Sequence, residues 1–224
     1  GTSLLSLSLL GVYGLPPLMS LSMYKVGNEG FQLGGLINYL KAEKVLWNYA
    51  LPLVGIGAVA AFIGGNIVLS VDETLLSKII GLALFLFVPL SVFNPKLGIV
   101  ARTVGIKSKT IGYCLYFLSS IWGSSFAIGA GLFNMINQTY FFGMTLLQVK
   151  GTAKIPGAVK SIIVLILFAH AGIVNWQLSL IFLVGMFLGS LLGTVYTIRI
   201  GDTWLRYFLL VTVFVLSIKL IFGY

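Results

Sequence analysis

Two lysines, Lys25 and Lys154, lie in stretches of sequence that are otherwise apolar enough to enter a membrane. A charged side chain is costly in the hydrocarbon core, so a lysine there needs a carboxylate partner, a path to the lipid headgroups or a ligand. Each lysine follows a glycine by eleven residues, Gly14 in one case and Gly143 in the other. Because glycine loosens a helix and exposes its backbone, the pattern indicates a binding site, and the positive charge indicates an anion.

The composition places the chain in a membrane. Hydrophobic residues make up 58% of the 224 positions and charged residues 8%, whereas a soluble domain carries about 25% charged residues. We predict an all-α polytopic membrane protein of about eight transmembrane segments, because each crossing takes about 20 residues. One cysteine, one histidine and five acidic residues exclude a disulfide framework and predict neither a metal cluster nor a cofactor.

The net charge of +9 does not indicate a nucleic-acid partner, because basic residues of membrane proteins collect in cytoplasmic loops. Residues 94–110 hold four basic residues and no acid, and we predict that they link two membrane domains, residues 1–93 and 111–224. Eight crossings would put loop 41–46 on the same side of the membrane as residues 94–110. Together the two loops carry six basic residues, which predicts a multi-pass protein of the cell (inner) membrane with this side in the cytoplasm. The other side would hold Lys78, Arg199 and Arg206.

Eight hydrophobic stretches are the predicted crossings. The first is the end of a helix whose remainder would precede residue 1, Pro89 would kink the fourth, and the fifth would loosen at Gly129-Ala130-Gly131. The stretches are residues 4–13, 18–39, 47–69, 75–93, 111–133, 145–170, 176–198 and 204–222.

The sequence contains an internal repeat, because a shift of 129 residues superposes its halves without a gap. Leucine and alanine matches arise by chance in so biased a composition, but matches of rarer residues do not. We predict two four-helix repeats with broken, glycine-rich helices. An even number of crossings per repeat favours parallel repeats, whereas a re-entrant segment would make them inverted. The matched pairs are Gly14 and Gly143, Lys25 and Lys154, Trp47 and Trp176, and Gly64 and Gly193.

Short motifs carry a resemblance to a known family. They are Gly-Leu-Pro-Pro at 14–17, Lys-Gly-Thr-Ala-Lys-Ile-Pro at 150–156 and Gly-Ile-Val-Asn-Trp at 172–176. In combination they resemble the TauE/SafE sulfite exporter family over essentially the whole chain. The resemblance implies an all-helical transporter of two four-helix repeats. Such proteins move sulfur-containing or carboxylated anions, among them sulfite, thiosulfate and sulfonates, often with proton coupling.

The resemblance also implies substrate-binding residues. It assigns this role best to Lys25, Lys154, Thr152 and the segment with Gly129 and Gly131. The first half departs from the family's pattern, in which a Thr-Asn pair precedes the first lysine and a Gln follows it. Here the residues before the lysine are Met and Tyr, and a Gly stands at the Gln position, so the specific anion stays open.

The first lysine has two alternative roles, because Glu29 stands four residues after Lys25, the spacing of neighbours on one helix face. Either the two side chains form an internal ion pair, or Glu29 takes up and releases a coupling proton. Tyr24, beside the lysine in sequence, would supply a hydrogen bond to the anion.

The second lysine has no acid nearby in sequence. Lys154 either binds the anion or extends to the headgroups, and Pro156 favours binding because it leaves the Thr152 carbonyl without its helical partner. Lys150, one turn earlier, either joins it as a clamp or lies at the interface. For Lys160 we expect extension to the interface or a partner on another helix.

Small and polar residues surround the second glycine segment. Gly129 and Gly131 would expose backbone amides to an oxyanion. Ser124 and Ser125 would either turn their hydroxyl groups to the oxyanion or simply allow helices to pack closely. Asn134 either donates to the anion or ends a helix.

We therefore predict a secondary transporter, not an enzyme, that binds a small oxyanion between its repeats and works by alternating access. Its partners would be the anion, membrane lipid and a coupling proton, in an oligomeric state that the sequence does not reveal. The alternative is an intramembrane enzyme or lipid-phosphate-binding protein. Against it stand the lack of a carboxylate pair, a histidine cluster or a serine with an evident base.

Overall fold

The backbone of the computed structural model is helical wherever it is regular. The model describes residues 6–7, 10, 14–72, 100–127 and 129–222, with side chains up to residue 201. The predicted crossing at 75–93, its kink at Pro89 and most of the stretch 4–13 lie outside these ranges. The helices are α1 (Pro17–Lys41), α2 (Trp47–Ser70), α3 (Ile106–Phe126), α4 (Ala130–Phe141), α5 (Leu146–Thr152), α6 (Lys154–His170) and α7 (Trp176–Phe222).

Within the described ranges, three helical stretches are long and apolar enough to cross a membrane: Trp47–Ser70, Leu146–His170 and Trp176–Gly201. The second joins α5 and α6 across a single turn residue, and the third is the part of α7 that ends at a non-helical glycine with φ 74°. The described residues thus form an all-helical membrane protein, and the bounds of α1, α2 and the α5–α6 pair lie within a few residues of the predicted ones. Helix α1 is of similar length but carries polar side chains, which its neighbours cover.

The predicted fifth crossing, residues 111–133, is instead a helical hairpin. Helix α3 begins at Ile106, within the stretch predicted as a loop, and ends at Phe126. Ala127 (φ 63°) and Gly129 (φ 74°) then adopt left-handed backbone, and α4 turns back along α3. Glycine takes this conformation without the steric cost that other residues meet, which explains the glycine at 129.

Hydrogen bonds along the hairpin establish that its two limbs are antiparallel. Ser119 Oγ donates to Asn134 Oδ1 at 2.6 Å, near the middle, and Ser108 Oγ donates to the carbonyl oxygen of Phe141 at 3.2 Å, near the open end. The start of α3 and the end of α4 therefore lie on the same side of the protein. We call the turn at 127–129 the hairpin tip.

Helices α1 and α6 cross in opposite directions at the centre. Asn28 Nδ2 donates to Ser161 Oγ at 2.6 Å, and towards the other end of the pair Gly35 lies against Lys154. Helix α7 runs parallel to α1, and α2 runs parallel to α6. In both parallel pairs glycines allow close approach, as the sequence predicts for α2. The close contacts are Gly30 with Leu183, Gly34 with Phe187, Gly57 with Lys160 and Gly65 with Leu167.

Loops 42–46, 100–105 and 142–145 gather at one end of the bundle, which we call the basic end. Arg102 N donates to the carbonyl oxygen of Gly143 at 2.8 Å. Ile198 packs beside Tyr39 here, so Arg199 lies at this end as well. The prediction that Arg199 lies on the side of the membrane opposite to loop 41–46 is wrong. The hairpin returns the chain to the basic end, so the later helices run in the direction opposite to the predicted one. The basic residues at this end include Lys41, Lys44, Arg102, Lys107, Lys109 and Arg199.

The contact between α1 and α7 should depend on the absence of a side chain at Gly34. A Cβ atom there would overlap the carbonyl oxygen of Phe187, so we expect Gly34→Val to lower the free energy of unfolding by about 1–3 kcal/mol. Gly189→Val is the matched control, because a Cβ atom at Gly189 meets open space. Thermal unfolding of the detergent-solubilised proteins tests this, and equal melting of the two variants would contradict it.

Candidate functional site

Three charged side chains are buried between α1 and the helices that pack around it. Lys25 is 4% exposed, Glu29 7% and Lys154 4%. Burial of this kind in a membrane domain requires that each ammonium group find partners inside the protein. The structure therefore contradicts the alternative in which Lys154 extends to the headgroups.

Lys25 finds its partner at the hairpin tip. Its Nζ donates to the carbonyl oxygen of Gly123 at 3.0 Å, in the last turn of α3. This carbonyl also accepts the backbone N–H of Ala127 at 3.1 Å, and the partial negative charge at the C-terminal end of a helix stabilises a cation. The internal ion pair that the sequence allows between Lys25 and Glu29 is not formed, because the end of a broken helix takes the lysine.

Glu29 is held by α6 rather than by the lysine. Its carboxyl group lies beside Ser161, which accepts a hydrogen bond from Asn28 Nδ2 at 2.6 Å. The second carboxyl oxygen, Oε1, is buried without a hydrogen-bond partner among the described residues. The carboxyl group can therefore gain or lose a proton at Oε1 without breaking another contact.

Lys154 crosses α1 at Gly35 and reaches the backbone beyond it. Its Nζ donates to the carbonyl oxygen of Phe31 at 2.8 Å and to Ser190 Oγ at 3.5 Å, and it lies 3.3 Å from the centre of the Phe31 ring. A Cβ atom at Gly35 would collide with the lysine chain, so this glycine opens the path. Hydrogen bonds and the aromatic face together compensate part of the cost of burying the charge.

The two predicted lysines lie at different levels along the axis of α1. Phe31, the partner of Lys154, lies six residues after Lys25 in sequence, which corresponds to about 9 Å along a helix axis. Lys160 is the lysine that shares a level with Lys25. Its Nζ donates to Ser120 Oγ at 3.2 Å and lies 4.9 Å from the centre of the Tyr116 ring.

Two predicted binding residues make hydrogen bonds that hold helices together. Thr152 Oγ1 accepts from the backbone N–H of Leu46 at 3.0 Å, at the start of α2. Asn134 accepts from Ser119 inside the hairpin. Ser125 likewise donates to the carbonyl oxygen of Gly64 at 2.9 Å, as close helix packing predicts.

The other predicted residues divide between the tip and the basic end. Tyr24 packs against Phe126 and Ala127 at the tip, and Gly129 begins α4 there with no side-chain cap. Gly131 is exposed, with open space beside it. Lys150 is half-buried in α5, a helix that starts at the basic end.

Sequence reasoning missed Asn28, Ser120 and Ser161. For Lys160 it left open extension to the interface or a partner on another helix, and the structure shows the second, with Ser120 as the partner. These side chains come from three helices that are distant in sequence. The signal that would have found them is the antiparallel crossing of α1 and α6, which brings Asn28 to Ser161.

Comparison with known proteins is consistent with this architecture. The family model described as "Sulfite exporter TauE/SafE" matches residues 1–220. A "Probable membrane transporter protein" of Haemophilus influenzae is 22% identical over 99% of this chain and 87% of its own length. The "Probable membrane transporter protein YfcA" of Escherichia coli K12 is 25% identical over 99% of this chain and 82% of its own length.

A third relative, the "Probable membrane transporter protein ORF9" of a Sinorhizobium species, is 21% identical over 99% of this chain and 85% of its own length. No solved structure matches the chain. The family model covers nearly all of the 224 residues. The chain therefore belongs to the sulfite exporter TauE/SafE family.

Proposed function

We propose that this protein is a secondary transporter of small anions, with sulfite, thiosulfate and sulfonates as the candidate substrates, in the cell (inner) membrane. One observation carries the proposal. Lys25 and Lys154 are buried in a membrane domain, Lys160 is half-buried beside them, and Glu29 is the one buried acidic side chain among those described. The excess positive charge is stabilised when an anion binds.

The alternative, an intramembrane enzyme or a lipid-phosphate-binding protein, has less support. The relatives carry the names of transporters. Among the residues whose placement is described, no group of His, Cys, Asp and Glu could hold a metal ion. Transport requires only that the anion site open to each side in turn.

Alternating access between two inverted repeats is the mechanism that the backbone favours. A shift of 129 residues maps α1 onto the α5–α6 pair, Pro17 onto Leu146 and Lys41 onto His170. It also maps the left-handed Gly14 (φ 74°) onto Gly143 (φ 71°).

The turns after these helices match in detail. Lys44 N donates to the carbonyl oxygen of Tyr39 at 3.0 Å, and Ile173 N, 129 residues later, donates to that of Phe168 at 3.3 Å. Because α1 and α6 run in opposite directions, the pseudo-two-fold axis would lie in the membrane plane. The re-entrant hairpin is the feature that reverses the second repeat, and rocking of the repeats would expose the site to alternate sides.

Inverted repeats make a testable prediction about sidedness. In a Cys114→Ser background, which removes the one cysteine, we expect Lys41→Cys and Thr103→Cys to react with an impermeant maleimide from one side of the membrane. Ala171→Cys should react only from the opposite side, because loop 171–175 lies at the far end of α6. Labelling of intact cells and inverted vesicles measures this, and parallel repeats would instead put all three cysteines on one side.

Both buried lysines should be required for transport. In proteoliposomes, we expect Lys25→Ala and Lys154→Ala each to reduce uptake of labelled sulfite, thiosulfate or sulfoacetate by about tenfold or more, because a charge-assisted hydrogen bond contributes about 1.5–3 kcal/mol. Lys107→Ala is the control, since Lys107 is exposed near the start of α3. Uptake by both variants at the wild-type rate would show that these lysines do not bind the anion.

Glu29 should couple a proton to the anion. With a pH-sensitive dye inside the liposomes, we expect anion entry through the wild-type protein to acidify the interior. Glu29→Gln should abolish the acidification, because the amide cannot carry the proton. Persistent acidification in this variant would assign the proton to another group.

A further inference from the structure

A lysine outside the predicted set completes a group of charges around the hairpin. Lys25 reaches the carbonyl oxygen of Gly123 at 3.0 Å, and Lys160 reaches Ser120 Oγ at 3.2 Å. These two acceptors stand three residues apart on α3, which corresponds to about 4.5 Å along its axis. Two lysines from different helices thus converge on one turn of α3.

Glu29 belongs to the same group. It lies one turn after Lys25 on α1, and its neighbour Ser161 directly follows Lys160 on α6. On α3, the facing polar groups are Ser120 and the Tyr116 ring. On α7, the residues that pack against α1 at this level are uncharged, namely Phe182 and Leu183. Lys25 is therefore the cation that acts on the carboxyl group, and Lys160 stands next to Ser161 on α6. The other acidic side chains that the structure describes, Glu43 and Asp72, are exposed.

We propose that Lys160 is an anion-binding residue, paired with Lys25, and that the Glu29 carboxylate competes with the substrate anion for these two ammonium groups. The inference rests on the proposed function and deepens it. While Glu29 is ionised, its negative charge attracts the two ammonium groups through space, without a direct ion pair. When its free oxygen Oε1 takes up a proton, the carboxylate becomes a neutral carboxylic acid, and the anion replaces it as the negative partner.

This competition determines the ratio and the direction in which protons and anions are carried. Each bound anion requires one proton on Glu29, and release of the proton returns the carboxylate to the lysines and expels the anion. Proton and anion are therefore carried in the same direction, one for one. Lys154 stands outside the competition, because its ammonium group is fixed at the level of Phe31 by that residue's carbonyl and by Ser190.

The test is equilibrium binding of labelled thiosulfate, whose charge is constant across neutral pH, to the purified full chain. We expect wild-type binding to weaken as the pH rises, because Glu29 then loses its proton and competes. Glu29→Gln should bind at every pH as the wild type binds at low pH. Lys160→Gln should lose about tenfold or more in affinity, since one charge-assisted contact is removed, and Lys160→Arg should recover part of it.

Controls separate binding from folding. Lys107→Gln changes an exposed lysine and should bind as the wild type does, and each variant should keep the wild-type melting temperature. Lys160→Arg distinguishes a lost positive charge from a structural defect, because it keeps the charge.

Each outcome decides the question. Wild-type affinity in Lys160→Gln, or a retained pH dependence in Glu29→Gln, would overturn this inference and leave the transport proposal standing if the wild type still moves anions into liposomes. If the wild type neither binds nor transports thiosulfate, sulfite or sulfoacetate, both proposals fail.

Discussion

The cost of removing an ammonium group from water determines the arrangement of this membrane domain. A lysine at membrane depth is tolerated only when other groups replace its hydration. Here the replacements for the two most buried lysines are backbone carbonyls, that of Gly123 for Lys25 and that of Phe31 for Lys154. A carbonyl supplies partial negative charge without supplying a full one, so these lysines are solvated but not neutralised. The proposed anion would supply the full negative charge that the carbonyls lack.

Breaks and glycines make those carbonyls available. Helix α3 ends at the left-handed Ala127, and the carbonyl of Gly123 in its last turn accepts both the N–H of Ala127 and the ammonium group of Lys25 from α1. Gly35 removes the side chain that would block Lys154 on its way to Phe31. Close contacts at Gly30 and Gly34 bring α7 against α1 and place Ser190 beside the same carbonyl. The glycine content therefore serves the polar site as well as helix packing.

Much of this fold could be predicted from the sequence. Hydrophobic stretches predict α1, α2 and the α5–α6 pair to within a few residues, because a membrane helix needs a continuous apolar run. The 129-residue repeat and the importance of Lys25 and Lys154 follow from rare residues in an apolar background. The hairpin could not be predicted, because Ala127 adopts a left-handed backbone conformation that alanine disfavours. Because the hairpin was not predicted, the side of the membrane on which Arg199 lies could not be predicted either.

The partners of the lysines could not be predicted either, because they depend on the register between helices. Lys25 and Glu29 have the spacing of a helical ion pair, yet the lysine bonds to α3 and the carboxyl group lies beside Ser161 of α6. Sequence spacing describes which residues share a face of one helix, whereas burial makes contacts between helices decisive. Lys160 and Ser120 illustrate this, since 40 residues separate them in sequence.

The cross-connection of the lysines has a consequence for transport. Lys25, in the first half, bonds to a carbonyl of the second half, and Lys154, in the second half, bonds to a carbonyl of the first. Any rocking of one half against the other must therefore stretch both bonds, and each charge-assisted hydrogen bond contributes about 1.5–3 kcal/mol. On the proposed function, an anion that moves with the lysines would replace the lost carbonyls and lower this cost. The groups proposed to bind the anion would then be the same groups that resist movement in its absence, which would couple binding to the change of access.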